Sequence, residues 1–375
     1  MKIVFDRPAL SAIAAKCRPL TSGRKVLEQL ACVRIVGEKG LATIHAHNGE
    51  SCVSLSSAQV DVLKPGSTLV SCDGLNRALA ACGEIPTVTI ELDGDTLHVR
   101  GDRATAELNT LLVQDAPPLI EMGTTRTVDV PARELARSID RTASMAEVTG
   151  QVTGQNYSIK GVLFKWDGTV VELAATDGKG LAVARVKGLA KAADSVRGIV
   201  PKTAIDLLRS MLPDGDQPVT IMFGENSIGA KWDGSEMRTL IVEGAFAPYA
   251  DYVVKKDGTK LITFESKPLL EAVQRATLFL GPESRGVVFT PNGKAVGIRS
   301  RSDSTGRFND TIPAEIEEGA YPFVSDPKFV VRAVEGCGTD AVRLELTGAG
   351  KMMSTRTDDG SFVMVWMPLD PKLAQ

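Results

Sequence analysis

Hydrophobic positions follow one pattern that recurs along the chain: a short alternating run, a proline, then apolar residues at helical spacing. In Arg126–Arg141 (RTVDVPARELARSIDR), Thr127–Val130 form a β-favouring run and Pro131 follows. A helix can begin at such a proline without losing an amide bond, because first-turn N–H groups have no partner inside the helix. Leu135, Ile139 and Ala143 then return on one face, while Arg133, Arg137 and Arg141 recur four apart on another. The spacing predicts a strand running into a helix with one apolar and one cationic side.

The same pattern opens the chain at Met1–Cys17, with strand Lys2–Phe5, Pro8, then Leu10, Ile13, Ala14 and Cys17 inward. It returns at Leu261–Thr277, with strand Leu261–Phe264, Pro268, then Leu270, Val273 and Thr277. These starts lie 125 to 135 residues apart, a period that predicts three repeated domains at 1–120, 126–253 and 259–375. A weaker copy falls within each third, at Ser67–Cys82, Arg197–Leu212 and Tyr321–Val334. Five of the six helix starts carry a proline, and the sixth carries Asp73 as its expected cap. Between helices the chain alternates in short runs broken by Gly, Asn and Asp, as in Thr87–Leu92, Leu97–Val99 and Thr105–Leu112, or Gly161–Lys165 and Val170–Ala174. Those read as antiparallel strands joined by tight turns. The expected class is α+β, each third made of two β-α-β-β-β halves with its helices on one side of the sheets. Links between thirds fall near 115–125 and 254–260.

Composition adds little until the charge is mapped. The net charge of −3 argues weakly against a polyanionic partner. The six helices nevertheless carry thirteen basic residues against eight acidic ones, which leaves the strands and loops acidic. A cationic surface shared by six equivalent helices suits a polyanion held through its phosphates without reading sequence. The six cysteines include no CxxC pair and read as buried free thiols. No run approaches the roughly 20 apolar residues of a membrane span. The apolar start is interrupted by Asp6, Arg7 and Pro8 and repeats inside the chain, so a cytoplasmic protein is expected rather than an exported one.

Tyr157–Val186 (YSIKGVLFKWDGTVVELAATDGKGLAVARV) resembles the middle domain of the bacterial sliding clamp family, the β subunit of DNA polymerase III. Val242–Tyr249 (VEGAFAPY) and Val365–Leu369 (VWMPL) resemble two further segments of that family, and the likeness runs the full length, least in the first third. The resemblance implies a head-to-tail homodimeric ring, with helices lining a central channel and antiparallel sheets outside. It implies a non-catalytic processivity factor, without cofactor or metal, that encircles double-stranded DNA and tethers polymerase subunits, repair proteins and the clamp loader through short linear motifs. It places a partner-peptide pocket at Ile159, Thr176, Gly178, Lys179, Leu181, Pro248, Val365, Met367, Pro368 and Leu369. It places DNA contacts at Arg24, Gln155, Asn156, Tyr157 and Lys202, which join the helix-borne Arg137 and Arg141. Ala106 and Leu108 match one side of the ring interface, Leu278 and Phe279 the other. Departures are Lys179-Gly180, where the family commonly has His or Arg followed by Arg, Ala247 for a proline, the bulk of Trp366, and a tail running on through DPKLAQ. These predict the same site with an altered motif preference.

Enzyme readings find less support. His45 and His47 project to one side of a predicted strand but have no third ligand at recognisable spacing, and His98 is isolated. TDGKGL at Thr176–Leu181 continues into strand rather than helix, unlike a phosphate-cradling loop. The alternative from another class is a β-rich multidomain enzyme or carbohydrate-binding protein using a cleft between domains.

Overall fold

The computed structural model describes residues 1–22, 27–38, 40–146, 160–189 and 195–370. Its described helices are α1 (Arg7–Thr21), α2 (Cys72–Ala81), α3 (Ala132–Ala143), α4 (Lys202–Met211), the single turn α5 (Ala250–Val253), α6 (Ser266–Thr277) and α7 (Pro327–Cys337). Apart from α5, each follows directly on a strand, as the strand–proline–helix pattern predicts. The helix starts obey local chemistry. Pro8 and Pro327 lie in first turns, and the carboxylates of Asp6 and Asp326 accept the amides of Ala9 and Lys328. The cap of α2 is Ser71, whose Oγ accepts the Gly74 amide at 3.2 Å, and not Asp73 as expected. Asp73 lies inside the first turn, 3.5 Å from Arg18.

The chain divides into two compact units, Met1–Arg133 with Thr203–Ile241, and Glu134–Lys202 with Val242–Gln375. The first is built on one thirteen-stranded sheet. Ser235–Leu240 pairs with Ser51–Ser57 there, so strands far apart in sequence share one ladder. The helices α1 and α2 pack on each other, and α1 covers Leu41–His47 and Ser51–Ser57. Leu10, Ala14, Cys17 and Leu20 of α1 are buried, as are Ile44, Ala46, Val53 and Leu55 of those strands.

The second unit holds a nine-stranded and a four-stranded sheet. In the larger, Gly180–Lys187 pairs with Phe362–Trp366, register Leu181 to Val365. In the smaller, Gly306–Pro313 is an edge strand paired only with Ala295–Ser302. Here α6 packs on α7 and on both of those strands. Every described strand pairing is antiparallel, so the α+β class with antiparallel sheets holds. The six cysteines are free and buried. Among the described residues no helix is long and apolar enough to cross a membrane.

Candidate functional site: an apolar groove and helix-borne cations

The groove begins at the turn Thr176–Gly180. Asp177 Oδ1 accepts the amides of Lys179 and Gly180 at 3.0 and 2.8 Å, and Thr176 Oγ1 donates to the Gly180 carbonyl at 2.6 Å. Gly178 sits at φ +82°, where a side chain would strain the backbone. Gly180 has another reason to be small: a Cβ there would lie 2.6 Å from Met145 Cε and 2.9 Å from Phe329 Cε1. Those two side chains occupy the space an arginine would need. The Met367 amide donates to the Lys179 carbonyl at 3.0 Å, carrying the ladder past the end of Phe362–Trp366 and setting Met367 at the groove edge, half exposed.

The groove so formed has a volume of about 480 Å³. Thr176, Gly178, Lys179, Leu181, Pro248, Val365 and Met367, all expected from the sequence, line it. Phe246, Tyr249, Tyr252 and Met352 also line it, and sequence reasoning did not single them out. Phe246 and Tyr249 meet edge to face, ring centroids 5.7 Å apart, and both rest on the buried cluster around Leu181, Val183 and Val365. The Tyr249 hydroxyl donates to Glu172, and burial followed by that carboxylate pushes its pKa well above the ordinary phenol range. It therefore stays a donor and holds the aromatic wall in place. An adjoining cavity of about 790 Å³ shares this wall and adds a charged rim including Lys165, Glu172, Arg185, Arg197 and Lys256. Pro368 and Leu369 do not line the groove; the Leu369 amide donates to Val324 at 2.9 Å. Trp366 lines the groove too, but its side chain is buried with the indole N–H on Ser325 Oγ at 3.1 Å, so most of its bulk goes into the core. Ile159 lies outside the described residues.

Two sets stand out among the helix-borne cations. Arg18, Arg133 and Arg275 pair with Asp73, Asp216 and Asp310, while Lys328 and Arg332 both lie 3.8 Å from Asp177. Lys16, Arg77, Arg137 and Lys267 are exposed and make no ion pair among the described residues. Lys202 is half-buried at the start of α4. Arg141 stands elsewhere than its spacing suggested: it is buried, with its guanidinium bonded to main-chain oxygens inside the protein. Arg24, Gln155, Asn156 and Tyr157 lie outside the described residues.

Two of the strand margins left open among the described residues carry sequence-expected interface positions. Thr105–Leu111 pairs with Thr96–Arg100 on one side, but on the other only Leu111 and Thr110 have partners, which leaves the margin beside Ala106 and Leu108 unpaired. Gly306–Pro313 is open along its whole outer side among the described residues. Beside it Phe279 stacks on Phe308 at 5.5 Å, and Leu278 is 74% exposed.

Residues 129–248 match the family model described as the central domain of the DNA polymerase III beta subunit. The beta sliding clamp of Escherichia coli strain K12 is 26% identical over 373 residues, 98% of this chain and all of that protein. The chain is similar to the bacterial sliding clamps over nearly its whole length. The beta sliding clamp of Pseudomonas aeruginosa is 24% identical over 315 residues, 82% of this chain and 84% of the relative. Solved clamps share the fold. One from Pseudomonas aeruginosa bound to griselimycin superposes with a TM-score of 0.92 at 22% identity, and one from Bacillus subtilis with 0.89 at 20%, each covering 99% of both chains. Clamp-like sequence and clamp fold thus extend from end to end.

Proposed function

We propose that the chain is a DNA polymerase processivity factor. Two copies close into a ring around duplex DNA and tether polymerase subunits, repair proteins and the clamp loader by short linear motifs seated in the groove. It works in the cytoplasm without catalysing a reaction. The observation that carries this reading is the likeness to named sliding clamps over 98% of the chain. Each copy would contribute three repeats, at 1–120, 126–253 and 259–375.

The open margins support closure. An unpaired edge is a template for another strand, and the Thr105–Leu111 margin in one copy would receive Gly306–Pro313 of the second. Ala106 and Leu108 would then meet Leu278 and Phe279. Two such contacts form a closed two-fold assembly. The exposed Lys16, Arg77, Arg137 and Lys267, with Lys202, would neutralise phosphates. Exposed pairs such as Arg18–Asp73 are weak enough to exchange a carboxylate for phosphate. The groove is apolar, aromatic-walled and sized for the anchors of a short peptide.

The test is retention on DNA. After loading onto nicked circular DNA, the protein is expected to stay bound at high salt and to leave once the circle is cut. Binding that simply collapses with salt would mean ordinary electrostatic association and would overturn the ring.

A further inference from the structure

A further cavity, of about 520 Å³, lies in the first unit and has no part in the groove. Its floor is the sheet face turned away from α1. On that face Arg34, His45 and Ser54 stand opposite one another on three adjacent strands, and His47 follows two residues along from His45. Its roof is made of Val113, Gln114 and Ala116–Leu119; Asp115 of the same segment does not line the cavity. The roof is tied down beyond its end: the Ile120 amide donates to Cys52 Sγ at 3.4 Å, and its carbonyl accepts Arg238 Nη1 at 2.8 Å. The cavity is thus a fixed slot between a sheet and a strapped-down connection.

Its chemistry is one-sided. Of the thirteen described lining residues none carries a carboxylate, while one is an arginine, two are histidines and two are glutamines. Arg34 is exposed and makes no ion pair among the described residues. Glu236, opposite Ser54 in the same row, is already held by Arg238. His47 Nδ1 accepts the Gly49 amide at 2.8 Å, which in the neutral ring leaves the proton on Nε2 as a donor. His45 Nδ1 is bonded to Ser54 Oγ at 2.8 Å, which fixes the ring. Leu69, Val113 and Leu119 with the two prolines supply apolar walls. Donors with no acidic partner, converging in an apolar slot within the usual size range of small-ligand sites, call for an oxyanion on a compact body.

We propose that this slot binds a small oxyanion ligand, a phosphate or carboxylate group on a body of mononucleotide or dipeptide size, with Arg34 and His47 holding the charge. The site is independent of the ring and of the peptide groove. Its occupant would hold the connection Val113–Leu119 against the sheet.

The chain has three histidines, so ring-proton NMR of the full-length protein gives two reporters in the slot and His98 outside it. Inorganic phosphate, adenosine monophosphate and N-acetylaspartate are titrated separately at constant ionic strength set with chloride. Saturable shifts of His45 and His47 with His98 unmoved are expected for at least one probe. The stronger of the last two identifies nucleotide phosphate or peptide carboxylate as the source. Arg34→Ala is expected to weaken binding ten-fold or more, and Arg34→Lys to restore part of it. Parallel shifts of all three histidines, shifts that chloride reproduces, no saturation with any probe, or an unchanged titration in Arg34→Ala would each overturn the site.

Discussion

Arg141 Nε donates to the main-chain oxygen of Gly336 at 2.7 Å. Its Nη2 reaches the Cys337 carbonyl at 3.4 Å, its Nη1 reaches Ser361 Oγ at 3.1 Å, and its guanidinium carbon stands 5.2 Å from the Phe362 ring centre. Gly336 and Cys337 end α7, where carbonyls have no partner within the helix and the dipole favours a cation. An arginine of α3 therefore caps α7. Replacing it strands buried carbonyls, so Arg141→Ala is expected to cost about 2–4 kcal/mol in denaturant unfolding. Arg141→Lys recovers only part, because an ammonium cannot reproduce the planar fork. The salt dependence of DNA retention is expected to stay at the parent value. An unchanged unfolding midpoint in Arg141→Ala would show the contact to be idle.

Met367 is half exposed at the groove edge, whereas Leu181 is 8% exposed beneath it. Met367→Ala is expected to weaken a fluorescence-labelled polymerase-derived peptide by roughly ten-fold without moving the melting temperature. Leu181→Ala should weaken it too and destabilise the fold by about 2–4 kcal/mol, the usual range for emptying a packed leucine site. Parent-like affinity in both variants would remove the peptide from this groove.

Leu278 touches solvent over most of its surface, so a charge there leaves the single chain intact. Sedimentation of Leu278→Asp, and of Phe279→Asp with its stacking on Phe308 lost, is expected to give monomers. A persistent dimer in both would place the subunit contact elsewhere.

His45 and His47 both have pKa values held below the ordinary 6.5, chiefly by burial, and for His45 also by Arg34. As pH falls through about 6.5 the unfolded chain takes up protons that the folded chain refuses. Stability is therefore full above that pH and declines below it, until the folded imidazoles also titrate. Unfolding midpoints between about pH 7 and pH 5 are expected to fall in the parent and to flatten in a His45→Gln, His47→Gln double variant. Equal slopes would show that these two rings do not carry the dependence.

Gly180 stands where the family resemblance leads one to expect an arginine. Gly180→Arg drives a side chain into Met145 and Phe329, so a lower melting temperature is expected. Unchanged melting would mean that the turn moves aside freely.

The elements were legible because their signals are local. Pro8, Pro131, Pro201 and Pro327 mark strand-to-helix joints within a few residues, and the helical apolar spacing continues each one. The cap of α2 was harder: Ser71 and Asp73 both suit the role, and only the main-chain path decides between them. Arg141 was misplaced by arithmetic. Residues four apart drift by about 40° per step on a helix of 3.6 residues per turn, so the row through Arg133 and Arg137 curls inward by its third member. Of the aromatic wall, Phe246 and Tyr249 fall inside the family-like segment Val242–Tyr249, while Tyr252 lies beyond it and carries no signal of its own. Met352 gave no signal: it stands just before the strand Met353–Arg356, whose pairing with Phe362–Trp366 brings it to the groove.

The pairing of Ser235–Leu240 with Ser51–Ser57, and of Gly180–Lys187 with Phe362–Trp366, has a practical outcome for anyone cutting the chain at its repeats. A fragment spanning 126–253 would carry away two ladders whose other halves stay behind. Its bare margins would invite aggregation, so the lengths at which this sequence repeats are not the lengths at which it can be expressed.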